Sequence, residues 1–113
     1  MELKQLAHYR EYSEERLTKR VIYKHEHHAV FVLNFMPGQE LPSHQHPGSS
    51  LFVLVLEGEG DVVVDGEVTK VKKDDCLLVE GEEFFSFRNT GSEPVSLYVV
   101  LTKIPSEQYA QDV

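Results

Sequence analysis

Turn-forming residues recur along this chain at intervals too short for helices. Pro37-Gly38, Pro47-Gly48, Gly58, Asp65-Gly66, Asp74-Asp75, Glu80-Gly81 and Asn89-Thr90-Gly91 punctuate its middle. Between them lie runs of four to eight residues, many of them rich in Val, Leu and Phe. A globular helix averages about 11–12 residues, so these runs are too short to be helices and are read as strands. Asp65-Gly66 is the sharpest of the turn signals. It sits between Asp61-Val62-Val63-Val64 and Glu67-Val68-Thr69-Lys70-Val71. A tight type I′ hairpin needs positive φ at both central residues, which Asp and Gly tolerate.

The remaining runs complete the pattern. Arg20 to Glu26 holds β-branched and aromatic residues and reads as a strand. Ala29 to Met36 is an apolar run, and Glu40 to His46 follows as a polar strand. Leu51 to Leu56 is apolar at every position, so both of its faces are expected to be covered. Residues 76–79, 84–88 and 95–102 follow. The total is about eight or nine strands, which predicts an all-β sandwich or barrel. One domain over residues 1–113 is expected, with a barrel core at about 20–102. Residues 1–17 read as a short irregular N-terminal segment and 105–113 as a peripheral tail.

Charge and cysteine content narrow the classes of function. The net charge of −8 argues against a nucleic-acid partner, and no basic cluster exceeds Lys19-Arg20 or Lys72-Lys73. A single cysteine, Cys76, leaves no internal disulfide, which suits a reducing compartment. Met1 to Gln5 lacks the apolar core of a leader peptide. No apolar run approaches the roughly 20 residues needed to span a bilayer. A cytoplasmic protein with no membrane association is the expectation.

The candidate chemistry lies in Ser43-His44-Gln45-His46. Strand alternation sends His44 and His46 to one face, roughly 6–7 Å apart along the strand. Two neutral imidazoles so placed can converge on one small ion. Glu40 shares their parity, but it lies roughly 13 Å away along an extended strand. Gln39 is near the turn and is no better placed to join the pair. Cys76 is a soft ligand by type, but in an apolar strand it reads as a small core residue. His25-Glu26-His27-His28 reads as a strand end or loop, and His8 lies in an irregular segment.

Together these residues resemble the cupin family, specifically the small single-domain cupins. The family's first motif is glycine, five residues, His-x-His, three or four residues, glutamate, six residues, glycine. This chain has Gly38, His44-Gln45-His46, Leu51 and Gly58 at that spacing. The second motif falls on Asp74, Glu80, Glu82, Phe85 and Asn89, of which only Asn89 keeps the motif residue. The resemblance covers roughly residues 20 to 102. It implies an antiparallel β-barrel of the double-stranded β-helix or jelly-roll type. It also implies a divalent transition metal (Fe, Mn, Ni, Cu or Zn) held by the two motif histidines, the glutamate and a second-motif histidine. In this chain His44 and His46 remain, while Leu51 and Phe85 stand at the other two positions.

Leu51, Phe85 and Phe87 are therefore expected to make the pocket apolar. The cavity then either holds the apolar part of a small molecule beside the histidines, or is filled by Phe85. The expected function is small-molecule binding in the barrel pocket, with a degraded two-His metal site. The alternative is a metal-dependent oxygenase or isomerase, its ion held by His44 and His46 and completed by substrate or water. A third reading is an interaction protein with a closed pocket. The outer residues of the apolar run, Phe52, Leu54 and Leu56, need a cover. Either the N-terminal segment or a second subunit would serve, and the resemblance favours a homodimer.

Overall fold

The computed structural model describes residues 1–104 and 110–113. Residues 105–109 of the expected tail lie outside the described residues. Among the described residues nine strands form: β1 (Thr18–His25), β2 (His28–Phe35), β3 (Glu40–His44), β4 (Ser50–Glu57), β5 (Glu59–Val64), β6 (Glu67–Lys72), β7 (Cys76–Glu80), β8 (Phe85–Arg88) and β9 (Val95–Leu101). A short 3-10 helix, Leu6–Tyr9, precedes them. All pairings are antiparallel. One sheet has the order β1-β2-β9-β4-β7 and the other β3-β8-β5-β6.

The turns form where the residue types allow them. Asp65 and Gly66 both take positive φ, 49° and 82°, as a type I′ hairpin requires. The histidine-rich segment closes the β1–β2 hairpin: His25 pairs with His28, and Glu26 takes φ 53°. It is a turn and not a second metal-binding face.

The inner faces of the two sheets form one core. Phe31, Leu33, Phe35, Leu51, Val53, Val55, Leu97, Val99 and Leu101 come from the larger sheet, and Val62, Val71, Phe85 and Phe87 from the smaller. In β4 the alternation is clear: Leu51, Val53 and Val55 are buried, while Phe52 is 46% exposed. The expectation that both faces of this run are covered therefore holds for only part of it. The N-terminal segment covers the outer face of the larger sheet on the β1–β2–β9 side. Tyr12 Oη lies 2.5 Å from Ser96 Oγ and donates to Glu57 at 3.1 Å. Asn34 Nδ2 donates to Tyr9 O at 2.8 Å, and Lys4 Nζ to Ile22 O at 2.6 Å.

Cys76 departs from its expected core position and is exposed. Its place is set by register: Cys76 pairs with Leu54 and Leu78 with Phe52, so Leu77 and Val79 take the inward positions. At the other end of the chain, Lys19 and Val113 exchange two backbone hydrogen bonds, of 3.0 and 2.9 Å. Residues at the C-terminus thus extend the pairing along β1. Among the described residues no helix is long and apolar enough to cross a membrane.

Candidate functional site: a histidine-lined cavity

The site begins with a proline in a strand. β3 is an edge strand, so the missing N–H of Pro42 leaves no gap in the sheet. The β3–β8 register shifts between Leu41 and His44, and His44 then pairs with Phe85. β3 ends there, two residues short of the expected boundary. His46 lies in the following turn, where Pro47 and Gly48 (φ 85°) bring Ser49 N–H to His46 O at 2.9 Å. Proline followed by a glycine of positive φ suits the centre of a type II turn.

This turn is clamped from below. His46 N–H donates to Gly81 O at 2.8 Å, and Gly81 N–H donates to Ser49 O at 2.8 Å. A Cβ on Gly81 would stand 1.9 Å from His46 O. Only glycine lets the β7–β8 connection approach this closely. The two imidazoles consequently meet although they do not share a strand. Their ring centroids are 4.5 Å apart, edge to face at 82°. The His44 ring also lies 6.3 Å from that of Phe85.

Hydrogen bonding and burial set the state of both rings. His44 Nδ1 lies 2.7 Å from Pro42 O. A carbonyl only accepts, so this contact places a proton on Nδ1. His46 is buried, and its pKa falls to about 4. Burial is the main cause, followed by the charges of His44 and Lys19. At neutral pH His46 is therefore uncharged, a potential acceptor as well as a donor.

Beside the histidines is a cavity of about 70 Å³. Leu33, Leu51, Phe85, Val99 and Leu101 supply apolar walls, with Leu41, Phe31 and Lys19 completing them. One water needs about 10–15 Å³ on this measure, so there is room for a small molecule. Leu51 and Phe85 thus stand against the cavity, and Phe85 is a wall that leaves space beside it. Phe87 is not among the lining residues. Its ring packs instead on Phe35, at 4.9 Å. Glu40 pairs with Arg88 on the far stretch of β3, and Gln39 is engaged with Met36 N–H and Ser13 O, so neither joins the histidines.

Among the described residues no group of three or more His, Cys, Asp or Glu side chains could hold a metal ion. Leu51 and Phe85 offer no electron pair at the positions where the resemblance implies ligands. The residues present therefore do not fit a four-ligand metal centre, for which stable sites supply three or four protein donors. Asn89, the surviving second-motif residue, has a structural task. Its Nδ2 donates to Phe35 O and Glu93 O, at 3.1 and 2.9 Å, and its Oδ1 accepts from Gly91 N–H at 3.0 Å.

Lys19 is the site residue that the sequence reading missed. It pairs with Leu33 on β1 and turns into the cavity, with Nζ 4.4 Å from the Phe31 ring centroid. Parity with Val21 is the signal that could have found it. That signal is blurred by a register shift between Val21 and Tyr23.

Comparison with known proteins agrees with this architecture. A family model described as "Cupin domain" matches residues 31–101. The protein "Polyketide synthase CurC" of Streptomyces cyaneus is 34% identical over 68 residues, covering 60% of this chain and 44% of that protein. The "5-nitrosalicylic acid 1,2-dioxygenase" of a Bradyrhizobium species is 34% identical over 64 residues, covering 57% and 30%. This chain thus spans less than half the length of either relative. The crystal structure of TT1209 from Thermus thermophilus superposes with a TM-score of 0.87 at 28% identity, covering 93% of this chain and all of that one.

Proposed function

Since the chain belongs to the cupin family, we propose that its barrel binds a small molecule in the cavity beside His44 and His46, without a protein-ligated metal centre. The observation that carries this reading is the cavity itself. It is walled by Leu51 and Phe85 where metal ligands are implied, and it keeps two imidazoles at one side. Apolar walls with a few convergent polar groups suit a ligand with an apolar body and one polar end. The activities for which the relatives are named belong to longer proteins and do not select a reaction for this chain.

The test is metal analysis joined to a ligand screen. Protein purified without chelator is expected to hold less than stoichiometric metal after incubation with Fe, Mn, Ni, Cu or Zn salts and desalting. In an NMR screen, binders are expected to shift resonances of Leu33, Leu51 and Phe85 in the presence of chelator. Leu41→Phe, which narrows the cavity from a half-buried position, is expected to weaken them. Stoichiometric metal that is lost in both His44→Ala and His46→Ala would overturn this reading in favour of the metal-dependent alternative.

The same fold supports a homodimer. Phe52 and Leu78 are cross-strand partners on the outer face of the larger sheet, 46% and 58% exposed. A two-fold contact there would cover them, as is common for identical chains. Sedimentation is expected to show a dimer that Phe52→Lys converts to monomer.

A further inference from the structure

We infer that residues 110–113 form a releasable clasp on the edge of β1 that gates entry to the cavity; this rests on the reading that the barrel binds a small molecule. The first support is where the cavity opens. Phe31, Leu33, Leu51, Phe85, Val99 and Leu101 line it from buried positions. The half-buried lining residues are Lys19, Leu41 and His44. Lys19 belongs to β1 and the other two to β3, and each of these strands is the edge of its sheet. The mouth therefore lies between the two edges, and Lys19 forms its rim on the β1 side.

The second support is what holds that rim. Within its sheet β1 has β2 on one side only, and residues 110–113 take up part of the other. Lys19 N–H donates to Val113 O at 3.0 Å, and Val113 N–H donates to Lys19 O at 2.9 Å. Val21 N–H donates to Asp112 Oδ1 at 2.5 Å, and Arg20 Nη1 to Val113 O at 3.1 Å. Asp112 also acts on the Lys19 amine as a counter-charge. The segment thus fixes Lys19 by its backbone and restrains its side chain through charge.

The third support is how lightly the segment is seated. Asp112 is exposed and Val113 is 50% exposed, while Ala110 packs against the core. Hydrogen bonds at a strand edge, with little apolar surface behind them, belong to the least stable part of a fold. Release would leave the site itself intact. The buried walls come from β2, β4, β8 and β9, and β1 keeps its pairing with β2. Opening the clasp therefore changes access to the cavity and not its shape.

The experiment measures two rates on the full chain by NMR: hydrogen exchange at Lys19 N–H, which reports release of the clasp, and the exit of xenon from the cavity. Asp112→Ala removes the acceptor of Val21 N–H, and Val113→Pro removes the donor to Lys19 O. Neither residue lines the cavity. Each variant is expected to speed both rates by about two- to ten-fold, the effect of losing one hydrogen bond, with xenon affinity unchanged. Faster exchange at Lys19 N–H with an unchanged xenon exit rate would overturn the gate and leave the small-molecule reading standing. Unchanged exchange at Lys19 N–H in both variants would overturn it too, since residues 110–113 would then not hold β1. Xenon that enters the variants and not the parent would support the gate in its strictest form. If xenon enters none of the three proteins, the small-molecule reading falls and the gate falls with it.

Discussion

Phe85 and Phe87 leave the same face of β8 two residues apart, yet they meet opposite surroundings. Phe87, 1% exposed, packs against the Phe35 ring at 4.9 Å. Gly60 makes room for it: a Cβ there would stand 2.4 Å from the Phe87 ring. Phe85, 2% exposed, borders the cavity and lies toward His44. Burial is nearly identical at the two positions, so burial does not distinguish them. The difference lies in what the rings touch. One end of the barrel is sealed by interlocking side chains, while the other is hollow and collects Lys19, His44 and His46. Close packing supports the fold at the first end, and incomplete packing leaves room for a ligand at the second.

The largest expected effect tests that distinction directly. Phe87→Ala should destabilise the fold by about 3–5 kcal/mol, because a ring locked against Phe35 leaves a void that cannot collapse. Phe85→Ala should cost less, since its ring already faces open space and forfeits fewer contacts. Urea denaturation of both variants measures the difference. Equal losses would mean that the cavity end is as tightly packed as the other.

A second test changes the hollow end by installing the missing donors. Leu51→Glu with Phe85→His puts a carboxylate and an imidazole at the two positions where the cupin motif has them. Without metal the double variant should be less stable than the parent, because it buries polar groups without partners. Added Zn, Mn or Ni salt should then restore stability, by about 2.7 kcal/mol at a hundredfold excess over the dissociation constant. The parent should gain far less from the same salts. Thermal unfolding with and without metal checks both halves. An equal gain in the parent would show that two histidines suffice to hold the ion.

Much of the local architecture could be read from the residues. Alternation and turn chemistry are local, so Asp65-Gly66 and the strands beside it were legible without knowledge of the fold. The His-x-His pair was legible for the same reason, although β3 stops at His44 and a proline-glycine turn, not strand parity, brings His46 back. The hollow end depended on features that are not local. Lys19 lies inside only because of its register with β2, and a shift near Val21 hides that parity. Cys76 and Phe52 face outward because of the β4–β7 register, which an apolar run does not reveal. A run that is apolar at every position announces burial on two faces, yet Phe52 remains 46% exposed. Phe87 shares parity with Phe85, and parity gives the face without giving the depth.

The most gradual expected effect is a pH dependence at the hollow end. His46 carries a folded pKa of about 4, below its ordinary value of 6.5, chiefly because it is buried. The unfolded chain therefore takes up a proton below pH 6.5 that the folded chain refuses until about pH 4. Stability from this group is complete above pH 6.5 and is lost as pH falls toward 4, by at most about 1.4 kcal/mol per pH unit. His46→Gln cannot titrate and should lack this component. Urea unfolding of both proteins, with chelator present, isolates it as a difference that grows on acidification. The Phe35–Phe87 contact is between two rings that carry no titratable group, so the acid sensitivity of the barrel should start at the histidine end. Hydrogen exchange near pH 5 should accordingly rise first at His46, Ser49 and Gly81, whose backbone hydrogen bonds close the turn. Exchange that rises first at the backbone N–H groups around Phe87 would place the acid-sensitive region at the sealed end instead.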